Sequence, residues 1–214
     1  MGVEPREFKW PFSRMYSFFA KAMDPVYKEL ANMINISSGA QSLLEVGGGD
    51  GRLAVILAGK TNLPKIVTTD VSGDMVRLAS KRAELNKLTG RVFAEVQNVH
   101  NLSYPDNTFD LVISSFSLHH WQDPVPGLKE CARVLKPGGM ITIIDGDHSV
   151  SLKEIRSAVK NIGGPLGLTI GLWLGRHDLL DYDKVSGILK ETGVNWLAVT
   201  RNIPLLLIKG TKPS

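Results

Sequence analysis

The sequence predicts an α/β protein: a doubly wound, seven-stranded, mostly parallel sheet with the last strand antiparallel and helices on both faces. Three observations predict it. Short apolar runs alternate with stretches of helical periodicity along most of the chain, which is the pattern of βαβ units. One apolar run leads into a glycine-rich loop, Gly47-Gly48-Gly49-Asp50-Gly51, and then into a helical stretch. The last two apolar runs are separated only by Asn202-Ile203-Pro204, which leaves room for a tight connection and hence an antiparallel pair.

Residues 11–36 have a helical pattern, with Phe12, Tyr16, Phe19, Met23, Leu30 and Met33 among the apolar positions. They precede the first strand, so residues 1–40 are read as an N-terminal helical cap ahead of a main domain over 41–214. Residues 42–46 form the first strand, 50–60 a helix, and 65–69 a second strand ending at Asp70. Ser72 is placed to N-cap a helix over 73–88, whose face is Met75, Leu78, Ala79, Leu85 and Leu88, with Gly90 as the stop signal. Residues 91–96 and 109–114 are the third and fourth strands.

Asp123-Pro124 pairs an N-cap with a proline at the first helical position, where the missing N–H costs nothing. That helix is expected to run to about residue 136 and stop at Pro137-Gly138-Gly139, with the fifth strand over 140–144. Residues 151–161 read as a helix, and 163–175 as an apolar but glycine-rich stretch, together a lid insertion over about 151–180. Asp181 caps a helix through 191, closed by Gly193, and 195–201 and 205–209 are the final two strands.

At 214 residues, 43% hydrophobic and 21% charged, the chain suits one domain with a sizeable core. The net charge is +4, but the basic residues are scattered, as in Lys81, Arg82 and Lys87, and read as solvated helix faces rather than a nucleic-acid stripe. A single cysteine, Cys131, excludes an internal disulfide, and its helical spacing with Leu128, Ala132 and Leu135 marks a buried thiol. Residues 1–10 carry Glu4, Arg6, Glu7 and Lys9 with no apolar core, so no signal peptide is expected, and no apolar run is long enough to span a bilayer. The expectation is a soluble, cytoplasmic protein.

A strand, a glycine loop and a helix in that order aim backbone N–H groups at a ligand, and glycine lets the ligand approach closely. Asp70 ends the next strand, nineteen residues after Gly51, where a carboxylate can accept from two ribose hydroxyls. The dinucleotide fingerprint would need a third glycine where Arg52 stands. Glu45, just before the loop, is an unwelcome charge beside a pyrophosphate and suits a cofactor with a cationic, amino-acid-like tail.

Four segments resemble the class I S-adenosylmethionine-dependent methyltransferases, a Rossmann-like family. Glu45-Val46-Gly47-Gly48-Gly49-Asp50-Gly51 is similar to their first motif, and Asp70-Val71-Ser72-Gly73-Asp74-Met75 to their acidic second motif. Leu102-Ser103-Tyr104-Pro105-Asp106-Asn107-Thr108-Phe109-Asp110 is similar to the turn into their fourth strand, and Arg133-Val134-Leu135-Lys136-Pro137-Gly138-Gly139 to the turn before the fifth. The branch most resembled is methyltransferase type 11, which includes the ubiquinone and menaquinone C-methyltransferases. The resemblance implies S-adenosyl-L-methionine as cofactor. Gly47, Gly49 and Gly51 would border its methionine part, Asp70 would hold the ribose, and Val71 and Met75 would lie against adenine. Where relatives carry an Asp and a small residue for the adenine edge, this chain has Asn98-Val99. Val99 would use its N–H, and Asn98 its side-chain carbonyl. Ser114 would present backbone to the cofactor's amino group.

His119 and His120 follow the fourth strand at the ligand edge and could serve as a general base, since histidine titrates near neutrality. The same stretch could instead only shape the site or cap a helix. Asp145, Asp147 and His148 follow the fifth strand and could contact substrate, or form a plain polar loop; they lack the further acidic pair a metal shell needs, and no metal is expected. Tyr16 and Phe19, with Trp173 of the apolar stretch, could cap an acceptor; core packing or a homodimer surface serves equally well. The function expected is methyl transfer to a small, apolar acceptor. The alternatives are an RNA or protein methyltransferase, from the basic balance, and a non-catalytic S-adenosylmethionine-binding protein.

Overall fold

The computed structural model describes residues 23–161, 182–192, 194–202 and 204–214. Along these the elements are α1 (Asp24–Met33), β1 (Ser42–Val46), α2 (Arg52–Lys60), β2 (Lys65–Asp70), α3 (Gly73–Leu85), β3 (Val92–Val96), β4 (Phe109–Ser115), a 3-10 turn (Leu118–His120), α4 (Pro124–Val134), β5 (Leu135–Gly146), α5 (Leu152–Asn161), α6 (Tyr182–Leu189), β6 (Asn195–Asn202) and β7 (Leu205–Thr211). The seven strands form one sheet in the order β3-β2-β1-β4-β5-β7-β6. β7 runs antiparallel to both β5 and β6, and the other pairings are parallel.

Alternation along each strand feeds two cores. Leu43, Ile66, Leu111, Ile113 and Ile144 pack with α1, α2 and α5 on one face. Leu44, Val67, Val112, Ile143 and Ile208 pack with α4 and α6 on the other. Each such side chain, wholly withdrawn from water, contributes about 1.5–3 kcal/mol. Cys131 lies in the second core at 1% exposure, and burial pushes its thiol up to about 12, so it is an inert packing group.

Local signals act as expected at most helix starts. Ser72 Oγ accepts from Met75 N at 3.4 Å at the head of α3, and Asp123 Oδ1 accepts from Val125 N at 3.1 Å before α4. α5 opens on a reciprocal pair: Ser151 Oγ accepts from Glu154 N, and Glu154 Oε2 accepts from Ser151 N at 2.8 Å.

Helix ends differ from the sequence reading. α3 stops at Leu85, not residue 88, and Gly90 does not stop it. Lys87 takes the left-handed conformation (φ 57°), its N–H donating to Glu84 O while Leu88 N donates to Ala83 O. These two bonds satisfy the last carbonyls, as in a Schellman motif. α4 ends at Val134 rather than 136 because Leu135 already pairs with Phe109. β5 therefore begins five residues earlier than 140, with a register shift between Phe109 and Leu111. α2 starts at Arg52 rather than residue 50, with Gly51 as a left-handed N-cap. Residues 1–22 of the cap, residues 162–180 of the lid, Asp181 and Gly193 lie outside the described residues.

Candidate cofactor and acceptor site

β1 stands at the point where the chain's path reverses: β2 and β3 lie on one side, β4 and β5 on the other. The β1–β4 pairing ends at Glu45↔Ile113, whereas β4–β5 continues to Ser115↔Ile144. The two strands part at their carboxyl ends, and that crevice is where open α/β sheets bind ligands.

The glycine loop fills the crevice mouth. Gly47, Gly49 and Gly51 have φ of 65°, 55° and 69°, a region closed to ordinary side chains. The loop is tied down on its β2 side. Gly48 N donates to Thr69 O at 2.8 Å, and Gly49 N donates to Asp70 Oδ2 at 3.0 Å. The other Asp70 oxygen accepts from Ser72 N at 2.9 Å. Burial pushes the Asp70 carboxyl above its ordinary value, against the N–H groups of Ser72, Gly49 and Val71 that favour the anion. Asp70 thus fixes the loop, and each of its oxygens keeps a lone pair for a further donor.

Glu45 is 1% exposed. Its Oε2 accepts from Thr68 Oγ1 at 2.7 Å, and its Oε1 has no hydrogen-bond partner. Burial pushes this carboxyl up to about 8, the Thr68 hydroxyl and Ala54 N–H opposing and the charges of Asp50 and Asp70 adding. Asp50 is committed elsewhere: it pairs with Arg52, at 3.2 Å, and with Arg82, whose Nε also donates to the Asp50 carbonyl at 2.9 Å. Arg52 in turn pairs with Asp24 of α1. The arginine that stands where a dinucleotide fold needs glycine is therefore a buried strut under the loop.

At the adenine end Asn98 is exposed, and its Oδ1 accepts from His100 N at 3.0 Å and faces His100 Nδ1 at 3.1 Å. Val71 and Val99 are half-buried, and Met75 is buried at 2% exposure. Ser114 lies inside β4, its Oγ buried and without a partner.

Past β4 the chain turns back over the loop. A Cβ on Gly47 would overlap Ser117 Oγ and stand 2.6 Å from Ser117 Cβ. Ser117 Oγ accepts from Trp121 Nε1 at 3.0 Å, and a Cβ on Gly127 would stand 2.9 Å from the Trp121 ring. Ser117 and Trp121 were not singled out from the sequence; the only signal was the hydroxyl-rich run after a buried strand.

His119 and Asp145 come together here. His119 Nδ1 lies 2.7 Å from Asp145 Oδ1, and His119 N donates to Asp145 Oδ2 at 3.2 Å. Gly146 N donates to Asp145 Oδ1 at 2.8 Å, and the aspartate is fully buried. A carboxylate only accepts, so Nδ1 is the donor of this pair. Asp145 thus stands behind His119 as a buried support. His120 is exposed and lies against His119 with ring centroids 3.9 Å apart and the planes tilted by 50°. Asp147 serves the fold, paired with Arg201 at 2.9 Å and bonded to Ser149, while His148 is exposed.

An apolar cavity of about 240 Å³ lies between α1, α5 and the ends of β5 and β7, lined by Val26, Met33, Phe116, Val150, Ile155 and Val159 among others. Phe116 has φ 49° and meets Tyr27 edge-on at 6.2 Å. Left-handed backbone at a phenylalanine costs on the order of 1–2 kcal/mol, and such strain gathers at functional sites. Tyr16, Phe19 and Trp173 lie outside the described residues. Among the described residues no helix is long and apolar enough to cross a membrane.

Fold and site together define an α/β protein built to hold a nucleoside-bearing cofactor at its switch point. Known proteins narrow the class. Residues 44–143 match the family model described as "Methyltransferase domain". The chain is 38% identical over 106 residues to the ubiquinone/menaquinone biosynthesis C-methyltransferase UbiE of Hydrogenovibrio crunogenus, covering 48% of this chain and 41% of that one. It is 30% identical over 191 residues to the methyltransferase GfsG of Streptomyces halstedii, covering 89% and 66%. A crystal structure of a SAM-dependent methyltransferase from Aquifex aeolicus superposes with TM-score 0.73 at 20% identity, covering 94% of this chain and 98% of that one. The chain spans about half the length of the curated relatives it matches. It belongs to the class I S-adenosylmethionine-dependent methyltransferases, in the UbiE-like branch. The residues present fit that family's cofactor: three left-handed glycines shape the loop at the crevice, and the orphan Glu45 oxygen suits a cation.

Proposed function

We propose that the chain transfers the methyl group of S-adenosylmethionine to a small, apolar acceptor, with His119 taking the acceptor's proton. The observation that carries this reading is the apolar cavity walled by Phe116 and Gly146, each close in the chain to a member of the His119–Asp145 pair. The cofactor supplies an electrophilic sulfonium methyl, so that one acceptor–carbon bond forms as one sulfur–carbon bond breaks.

The residues bring alignment and a proton sink. Gly47, Gly49 and Gly51 bound the cofactor's methionine part, and Asp70 accepts from its ribose hydroxyls. Val71 and Val99 flank adenine, with the Val99 N–H as donor, and the Ser114 backbone faces the amino group. Positioning two reactants and excluding water are worth several orders of magnitude in rate. His119 Nε2 accepts the proton that the acceptor's hydroxyl or activated carbon loses, and Asp145 steadies the resulting imidazolium. The buried apolar walls favour a ring or chain without charge. The quinone-pathway role printed for UbiE is consistent with such an acceptor.

The test is production of S-adenosylhomocysteine by the purified chain with a panel of phenols, quinols and hydroxylated macrocycles, alongside RNA and peptides. Turnover with members of the apolar panel supports the reading. Turnover confined to RNA or peptides refutes the acceptor class, and no turnover with any acceptor despite tight cofactor binding refutes catalysis.

A further inference from the structure

The cofactor reading leaves one group unexplained. Glu45 is a carboxyl sealed beneath the loop, with Oε2 on Thr68, the Ala54 N–H facing the carboxyl from α2, and Oε1 without a hydrogen-bond partner. A Cβ on Gly48 would stand 2.6 Å from Glu45 Oε2, so the loop rests on this side chain. The charged groups facing it are both acidic: Asp50, from the loop, and Asp70, from the end of β2. The nearby cations do not serve it, since Arg52 and Arg82 are spent on Asp50 and Asp24. α3 offers Arg82, held on Asp50, and Ala79 under Gly51.

A buried carboxyl with acidic neighbours and no cation keeps its proton. S-adenosylmethionine carries positive charge on both sulfur and amine. Resting on the cofactor reading above, we infer that binding of the cationic cofactor drives the proton off Glu45, so that cofactor capture and proton release are one coupled event. The orphan Oε1 and the missing cation are two halves of one site that the ligand completes. The free carboxyl, pushed up to about 8, is largely protonated at neutral pH and has a proton to lose. Cofactor affinity then rises with pH until the free carboxyl has itself ionised. The neutral thioether of the product removes one of the two positive charges, so S-adenosylhomocysteine drives the release less strongly.

The experiment is titration calorimetry of the whole chain with S-adenosylmethionine at pH 7, in buffers of different ionisation enthalpy, for the native protein and Glu45→Gln. The native protein is expected to release about one more proton per cofactor bound than the variant. Equal proton counts in two proteins that both bind overturn the inference. Should Glu45→Gln fail to fold or bind, infrared difference spectra of the native protein decide: loss of a buried carboxylic-acid carbonyl band on cofactor addition supports it, and persistence of that band overturns it. Absence of any binding heat in the native protein would instead refute the cofactor reading on which it rests.

Discussion

Ser117 lies directly over Gly47, so close that a Cβ on the glycine would overlap the serine hydroxyl, and Trp121 holds that hydroxyl in place at 3.0 Å. The segment after β4 and the loop after β1 are thereby locked across the crevice. One carries the candidate base and the other the cofactor cradle, so their relative placement depends on this contact.

Replacing Gly47 by alanine therefore strains a left-handed backbone and drives Ser117 off the loop at once. The conformational cost alone is about 1–2 kcal/mol. Cofactor affinity is expected to fall roughly tenfold or more, measured by calorimetry, with the far-ultraviolet circular dichroism unchanged. Undiminished affinity would show that the cofactor does not use this loop.

His119→Ala should lower kcat by roughly 10²–10⁴-fold while leaving cofactor affinity within a few-fold of native. Steady-state kinetics with an accepted substrate give both numbers. A parallel loss of cofactor affinity would make His119 a structural residue of the site instead.

Asp50→Ala removes the anion shared by Arg52 and Arg82 and leaves Arg52, at 5% exposure, with Asp24 alone. Breaking one side of a buried ion pair costs roughly 3–5 kcal/mol. In a chain of this size the Tm should fall by about 10 °C, read by scanning calorimetry.

Glu45 also marks the pH dependence of the free protein. Its folded value is raised from 4.5 to about 8, so the unfolded chain binds fewer protons between those values and stability declines with rising pH. The contribution is fully present below the unfolded value and lost as the pH passes through about 8. Asp70, raised for the same reason, acts in the same direction. Glu45→Gln cannot ionise, so denaturant titrations should show it gaining on the native protein from pH 5 to pH 8, by on the order of a few kcal/mol. A constant difference across that range would mean that Glu45 is ionised throughout.

The sheet was legible because its strands are apolar runs and several are followed by a helical pattern; Ser72 and Asp123 cap as their residue types require. The ends of α3 and α4 were not. Gly90 is the conventional stop, but Lys87 takes the left-handed turn that the carbonyls of Ala83 and Glu84 need. Pro137-Gly138-Gly139 reads as a break, yet pairing of Leu135 with Phe109 starts the strand before it.

Within the site, the loop glycines and Asp70 follow from local sequence, since φ and strand position are local properties. The His119–Asp145 contact spans 26 residues, and the Ser117–Gly47 contact spans two strands; both depend on the sheet order that brings β1, β4 and β5 side by side. Asn98 shows the same dependence on neighbours: its Oδ1, read from sequence as an adenine acceptor, also accepts from the backbone N–H of His100, two residues on.

The most direct test of the central claim is calorimetric titration of the chain with S-adenosylmethionine, S-adenosylhomocysteine and NAD in parallel. Tight binding of the first two and none of NAD is the predicted result. Binding of NAD alone would contradict the account, because the buried Arg52 strut and the Glu45 carboxyl leave no seat for a pyrophosphate.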